Sequence, residues 1–499
     1  MECGDYTPGH QRGRIDRWRG MPDRDRMLSM PRLGLVVTVL LGLAARAPQT
    51  IPPRPNILVI IADDWAYPHA GAYGDRVVKT PNFDRIAREG VLFRNAFAAA
   101  PSCTPSRASL LTGRAVHQLG EGGNLWGFLP ARFEVYPDLL ESAGYAVGHT
   151  RKGWGPGNFQ AGGRTRNPAG PQFASFDEFY KQAPKEKPFC FWFGSTDPHR
   201  PYEKGSGAAS GLRPQDVVVP AFLPDTPEVR SDILDYYYEV ERLDREAGAI
   251  LAALERSDQL KNTIIVWTAD NGLPFPRAKA NLYDGGTHVP LAIRFPDKVK
   301  GARTLDDFVV LTDLAPTLLE AAGLAPPPAM TGRSLMTILE GGRQPGRDKV
   351  FLERERHANV RRGDLSYPSR AVRTTDFLYI RNFRPDRWPA GDPEKYFAVG
   401  EYGDIDGGPT KDLLLARPTN PAVTKYAELA MAKRPAEELY DLRKDPGQID
   451  NVAMKPEHAA IKKDLRAALD TWMRDTADPR LSTDDDRWDR YPYFGNRAK

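Results

Sequence analysis

Apolar residues run without a break from Ile57 to Ala62, led by Asn56 and followed at once by Asp63-Asp64. A strand with no polar position has no face to offer water, so the pattern predicts a strand buried on both sides, as in a parallel sheet. The same type recurs at Tyr145–Val147, Phe189–Phe193 and Thr263–Thr268, the last leading through Ala269 into Asp270-Asn271-Gly272. Helical spacing lies between these runs. Thr80-Pro81 opens a short segment with Phe83, Ile86 and Ala87 before a Gly90 stop, and longer patterns cover Thr226–Leu254 and Asp313–Ala322. Strands alternating with helices predict an α/β fold built on a doubly wound sheet.

Beyond about residue 360 the period shortens. Arg370–Thr374, Phe377–Ile380 and Glu438–Leu442 alternate as an antiparallel sheet would, and a helix is expected near Pro456–Arg474. The expected organisation is an N-terminal extension over 1–47, a large catalytic domain over 48–360 and a smaller α+β domain over 361–499. The apolar run Leu33–Leu43 follows Arg32 and leads into Ala45-Arg46-Ala47. It reads as a secretory signal peptide cleaved after Ala47, since a membrane-spanning helix wants roughly 20 apolar residues. The mature protein is therefore expected outside the cytoplasm, secreted or periplasmic, with no stable membrane span.

A hydrophobic content of 41 % over 499 residues suits a folded core rather than a disordered chain. The 69 basic and 65 acidic residues leave +4, and the first 47 positions hold eight arginines against five acidic residues. The remainder is nearly neutral, which argues against nucleic acid as partner. Of three cysteines, Cys3 falls in the leader. Two others do not make a disulfide framework. Cys190 sits in an apolar strand as a small hydrophobe, so Cys103 is the one to explain.

Ligand sites in open α/β sheets form beyond the carboxyl ends of strands. The residues there are Asp63-Asp64, Lys152, Asp197-Pro198-His199 and Asp270-Asn271. One acidic pair alone reads as a turn or helix cap, but two with an amide describe an all-oxygen site for Ca²⁺ or Mg²⁺. Cys103 opens a helical stretch, Cys103-Thr104-Pro105-Ser106-Arg107-Ala108-Ser109-Leu110-Leu111-Thr112-Gly113-Arg114, whose N-terminus favours an anionic substrate.

Cys-x-Pro-x-Arg followed by Ala-Ser-Leu-Leu-Thr-Gly-Arg resembles the signature of the type I sulfatases, in which the cysteine is oxidised to formylglycine. The resemblance runs from Asn56 to about Val452. It implies an alkaline phosphatase-like mixed sheet flanked by helices, and an enzyme that hydrolyses sulfated saccharides after a formylglycine-generating system has matured it. It also implies Asp63, Asp64, Asp270, Asn271 and modified Cys103 as Ca²⁺ ligands. Arg107 and Lys152 resemble the cations that hold the formylglycine hydrate, His199 the base that breaks the sulfo-enzyme adduct, and Lys279 a sulfate-binding cation. One departure stands out: many members carry histidine two residues after the lysine, where this chain has Trp154.

The loops Asn271–Pro276 and Val218–Pro227, with Ser366–Arg373, look most like the heparan N-sulfatase branch, which implies N-sulfoglucosamine as substrate. An O-sulfated glycan is the alternative. A phosphatase or phosphodiesterase of the same fold would want Ser or Thr as nucleophile and several His ligands. A non-catalytic glycan-binding relative would keep Cys103 unmodified. Arg356 and His357 are candidate substrate contacts, the alternative being a solvated charged turn over Glu353–Arg356.

Overall fold

The computed structural model describes residues 54–495 except 297, 300, 398, 399, 417, 418 and 484. The apolar run Leu33–Leu43 and the cleavage position after Ala47 lie outside the described residues. The first sheet holds β1 (Asn56–Ala62), β2 (Val91–Phe97), β3 (Ala146–Arg151), β4 (Gln172–Phe173), β5 (Phe189–Gly194), β6 (Thr263–Ala269), β7 (Leu291–Arg294) and β8 (Arg303–Val310). Their spatial order is β4-β3-β5-β1-β6-β7-β2-β8. Every neighbouring pair is parallel except the two that involve β7. The doubly wound expectation therefore stands as a mixed sheet.

β1 lies at the centre, parallel to β5 on one side and β6 on the other. Its seven residues are all buried, as are those of β5 and β6. Burying one Leu or Ile side chain is worth about 1.5–3 kcal/mol, so these runs are stable only in the middle of the sheet. The short helix α1 (Pro81–Glu89) packs Phe83, Ile86 and Ala87 inward and ends at Gly90, as its spacing predicts. Thr80, the expected cap, instead accepts from Gly71 N and donates to Asp84 Oδ1. The helix Pro227–Arg256 is capped by Thr226, whose hydroxyl accepts from Val229 N.

The second sheet, β12-β11-β10-β9, is antiparallel throughout. It comprises β9 (Lys349–Arg354), β10 (Ser369–Thr374), β11 (Phe377–Asn382) and β12 (Glu437–Asp441), with the helix Ala459–Asp475 nearby. Phe97, Leu282 and Phe308 pack with Val350, Leu352, Leu378 and Ile380, so one apolar cluster joins the two sheets.

An ionic cluster is buried near the same seam. His117 Nδ1 donates to Glu353 Oε2 at 2.7 Å and Nε2 to Thr476 O at 3.0 Å. Arg370 and Asp478 complete the surroundings. Burial disfavours the His117 cation, but Glu353 and Asp478 outweigh burial and raise its pKa above the ordinary 6.5. Because the folded pKa is the higher one, this pairing stabilises the fold fully below the unfolded pKa of about 6.5 and fades as pH rises through the folded value. Thermal midpoints measured from pH 6 to pH 9 should fall less steeply in His117→Gln than in the parent chain.

Candidate active site

The ends of β1 and β6 are locked together by one backbone bond and one to a side chain. Asp270 N donates to Ala62 O at 3.1 Å, and Asp64 N donates to Asp270 Oδ1 at 3.1 Å. Asp64 adopts a left-handed φ of 74°, which turns the chain sharply out of the strand. The turn places Asp63, Asp64, Asp270 and Asn271 side by side, all buried.

Helix α2 (Cys103–Thr112) is buried along its whole length, and Cys103 is its first residue. Cys103 is 2 % exposed, and its Sγ donates to Asp63 Oδ1 at 3.4 Å. Burial, with Asp63 and Asp270 nearby, pushes the thiol well above its ordinary 9 despite Lys152. Arg107 follows one turn later on the same face and is 0 % exposed. Its Nε donates to Asp270 Oδ2 at 2.7 Å, and Nη1 donates to the carbonyls of Lys152 and Gly153 at 2.8 and 2.9 Å. Its Nη2 has no hydrogen-bond partner among the described residues.

Lys152 Nζ donates to both oxygens of Asp63, at 2.7 and 2.6 Å. The preceding Arg151 has φ 56° and sends its side chain away to Glu246, so Lys152 is the residue that points inward. Lys279 Nζ bridges Asp64 Oδ2 at 2.7 Å and Asp406 Oδ2 at 3.0 Å. His199 Nδ1 donates to Arg200 O at 2.6 Å, and Nε2 faces Asp64 Oδ2 at 3.8 Å. Burial opposes the charge on Asp63, yet Lys152, His199 and Arg107 hold its carboxyl well below the usual range.

These groups meet in a cleft of about 880 Å³ whose walls include Asp63, Cys103, Lys152, His199, Lys279 and His357. A separate groove of about 580 Å³, between β8–β9 and the helix Ala459–Asp475, contains none of the predicted residues. His357 Nδ1 is hydrogen-bonded to Ser102 Oγ at 2.8 Å, and burial brings its pKa down to about 4, so the ring is neutral. Arg356 is not on the wall. Its guanidinium donates to the carbonyls of Asp364, Asp489, Tyr491 and Pro492, which corrects the expected substrate contact. Nor is Glu353–Arg356 a solvated turn, since all four residues are buried.

Trp154, the departure from the sulfatase pattern, lines the cleft. Asn167 fixes its backbone from both sides, and its indole N–H is buried without a partner among the described residues. His149 is buried in β3, held to Gly170 O at 2.9 Å. The residue that sequence reasoning missed is Asp406, on the cleft wall in Asp404-Ile405-Asp406-Gly407-Gly408. No apolar run precedes it, so a search of strand ends passes over it.

Donor atoms of Asp63, Asp64, Cys103 and Asp270 all lie within 4.8 Å of one another. Asn271 Nδ2 donates to Asp64 Oδ1, while Asn271 Oδ1 is buried with no partner among the described residues. An orphaned amide oxygen beside three carboxylates fits a hard divalent cation, since such an oxygen is costly to bury unpaired.

A buried acidic cluster, inward-facing cations and a cysteine at a helix start form a centre suited to a tetrahedral oxyanion. Residues 55–324, more than half of the chain, match the family model described as Sulfatase, and the chain belongs to the sulfatase family. It is a sulfuric ester hydrolase. Residues 277–395 match a second model, N-sulphoglucosamine sulphohydrolase, C-terminal. Human N-sulphoglucosamine sulphohydrolase is 31 % identical over 90 % of this chain and 94 % of its own length. An ulvan-active sulfatase of Formosa agariphila is 28 % identical over 85 % of this chain and 75 % of its own. The solved structure of BT4656 in complex with its substrate D-glucosamine-2-N,6-O-disulfate shares the fold. Its TM-score is 0.62 at 20 % identity, covering 86 % of this chain and all of that one.

Proposed function

We propose that this enzyme releases sulfate from N-sulfoglucosamine residues of heparan-type glycans, using Ca²⁺ and a formylglycine made from Cys103 by a separate maturation system. The observation that carries the substrate is the similarity to human N-sulphoglucosamine sulphohydrolase over 94 % of that protein. The leader pattern at 33–47 supports export before action, secreted or periplasmic.

Asp63, Asp64, Asp270, Asn271 and the oxygen of modified Cys103 would hold the Ca²⁺, which supplies charge neutralisation at the sulfuryl oxygens. A formylglycine hydrate supplies two hydroxyls on one carbon, one to attack sulfur and one whose deprotonation expels sulfate. Lys152, between Asp63 and the cleft, orients position 103 and adds positive charge beside it. Arg107 reaches the same place from one turn below, with its Nη2 free to donate. Lys279 offers its remaining N–H toward the sulfuryl group. His199 faces the site with the Nε2 lone pair, the correct tautomer to accept a proton.

The test is sulfate release by protein co-expressed with a formylglycine-generating system, on N-sulfoglucosamine and on 6-O- and 2-O-sulfated sugars. Release from the N-sulfated sugar, at least about tenfold faster in kcat/KM than from either ester, supports the reading. Release confined to an O-sulfated sugar overturns it.

A further inference from the structure

The cleft holds a carboxylate that sulfate binding alone does not explain. Its walls carry Lys152 and Lys279, with Arg107 buried behind them, and Asp63, Asp64 and Asp270 are taken up by those cations and the cation site. Asp406 shares Lys279 with Asp64 but is not among the donors of that cation site. Its side chain is 23 % exposed on the cleft wall, and Oδ2 accepts from Lys279 Nζ at 3.0 Å. Oδ1 has no hydrogen bond among the described residues. Donor atoms of Asp406, His199 and Asp64 lie within 4.8 Å of one another, so Asp406 stands beside the candidate base on the cleft wall.

An anion beside an anionic substrate is unfavourable unless the substrate presents a donor there. The two candidate substrates differ at that atom. A sulfamate carries N–H between carbon and sulfur, whereas a sulfate ester carries only oxygen lone pairs. Hydrolysis, R–NH–SO₃⁻ + H₂O → R–NH₃⁺ + SO₄²⁻, breaks the S–N bond, leaves the electron pair on nitrogen and ends with an ammonium ion. From this geometry we infer that Asp406 is a specificity-determining residue, accepting the sulfamate N–H and then the product ammonium through Oδ1. The inference rests on the N-sulfoglucosamine reading above. A site built to bond a substrate N–H rejects an analogue lacking it far more strongly than an apolar pocket rejects a methylene.

Asp406→Asn and Asp406→Glu, with the parent chain, test this on two substrates, N-sulfoglucosamine and 4-nitrophenyl sulfate, an ester with no N–H. The ratio of kcat/KM between them is expected to fall by about 100-fold in Asp406→Asn and to recover partly in Asp406→Glu. A second readout needs no maturation: calorimetric titration of the Cys103 form with glucosamine hydrochloride, and with neutral N-acetylglucosamine as comparison. The parent should prefer glucosamine by about tenfold or more, and Asp406→Asn should lose that preference. A parent that cleaves N-sulfoglucosamine while Asp406→Asn keeps the same substrate ratio and glucosamine preference overturns the inference alone. A parent that cleaves only esters overturns the substrate reading and this inference together.

Discussion

Cys103→Ala should lower kcat/KM for sulfate release by about 10⁴-fold or more, while thermal unfolding stays within about 1 kcal/mol of the parent. Two features separate activity from stability at this position. The thiol makes a single long S–H contact to Asp63, so little holding energy is lost with it. Alanine is also the best helix former for the first turn of α2. Everything else in the site remains assembled, because Lys152, Arg107 and Asp270 are bonded to one another and not through the sulfur. Sulfate measured by ion chromatography and unfolding measured on the same preparation decide it. Activity near the parent level would remove position 103 from the role of nucleophile.

Arg107→Met is expected to fail in the opposite manner, through the fold as well as the chemistry. The substitution leaves the Asp270 carboxylate and the carbonyls of Lys152 and Gly153 without their shared donor in a buried place. Breaking a buried pair from one side costs about 3–5 kcal/mol, because the remaining carboxylate loses its cationic partner and keeps only the Asp64 N–H among these bonds. Urea unfolding should therefore show a midpoint well below the parent with the slope unchanged. Activity should also be lost, since the carbonyls that Arg107 holds belong to the turn that aims Lys152. Arg107→Lys keeps the charge, but one ammonium cannot span Asp270 and both carbonyls in the planar fork geometry that arginine offers. Its stability should fall between the two. A loss under about 1 kcal/mol in Arg107→Met would show that the guanidinium is not what fixes this corner.

What could be read from the chain depended on whether a side chain's neighbours were near in sequence or followed a strand. Asp63-Asp64 and Asp270-Asn271 were legible because an apolar run of fixed length ends in each, and the central sheet position of β1 and β6 then forces the pairs together. Arg107 was legible as one turn beyond Cys103. Arg356 was not: four charged residues in a row look wet, yet its partners are carbonyls from residues 364 to 492, which no local pattern connects. Asp406 escaped for a similar reason, since its meaning comes from Lys279 and His199 in distant parts of the chain. The antiparallel insertion of β7 between β6 and β2 was likewise invisible, because a four-residue strand carries too little pattern to give its direction.

Three of the four carbonyls that Arg356 gathers come from residues 489 to 492. Tyr493, just past them, lines the cleft, and Phe494 N donates to Trp126 O at 2.8 Å. One wall of the cleft therefore depends on a clasp between segments far apart in sequence, with Trp126 and Tyr493 both lining it. Cutting the chain before Asp489 would take Tyr493 from that wall and leave the Arg356 guanidinium with Asp364 O as its remaining carbonyl.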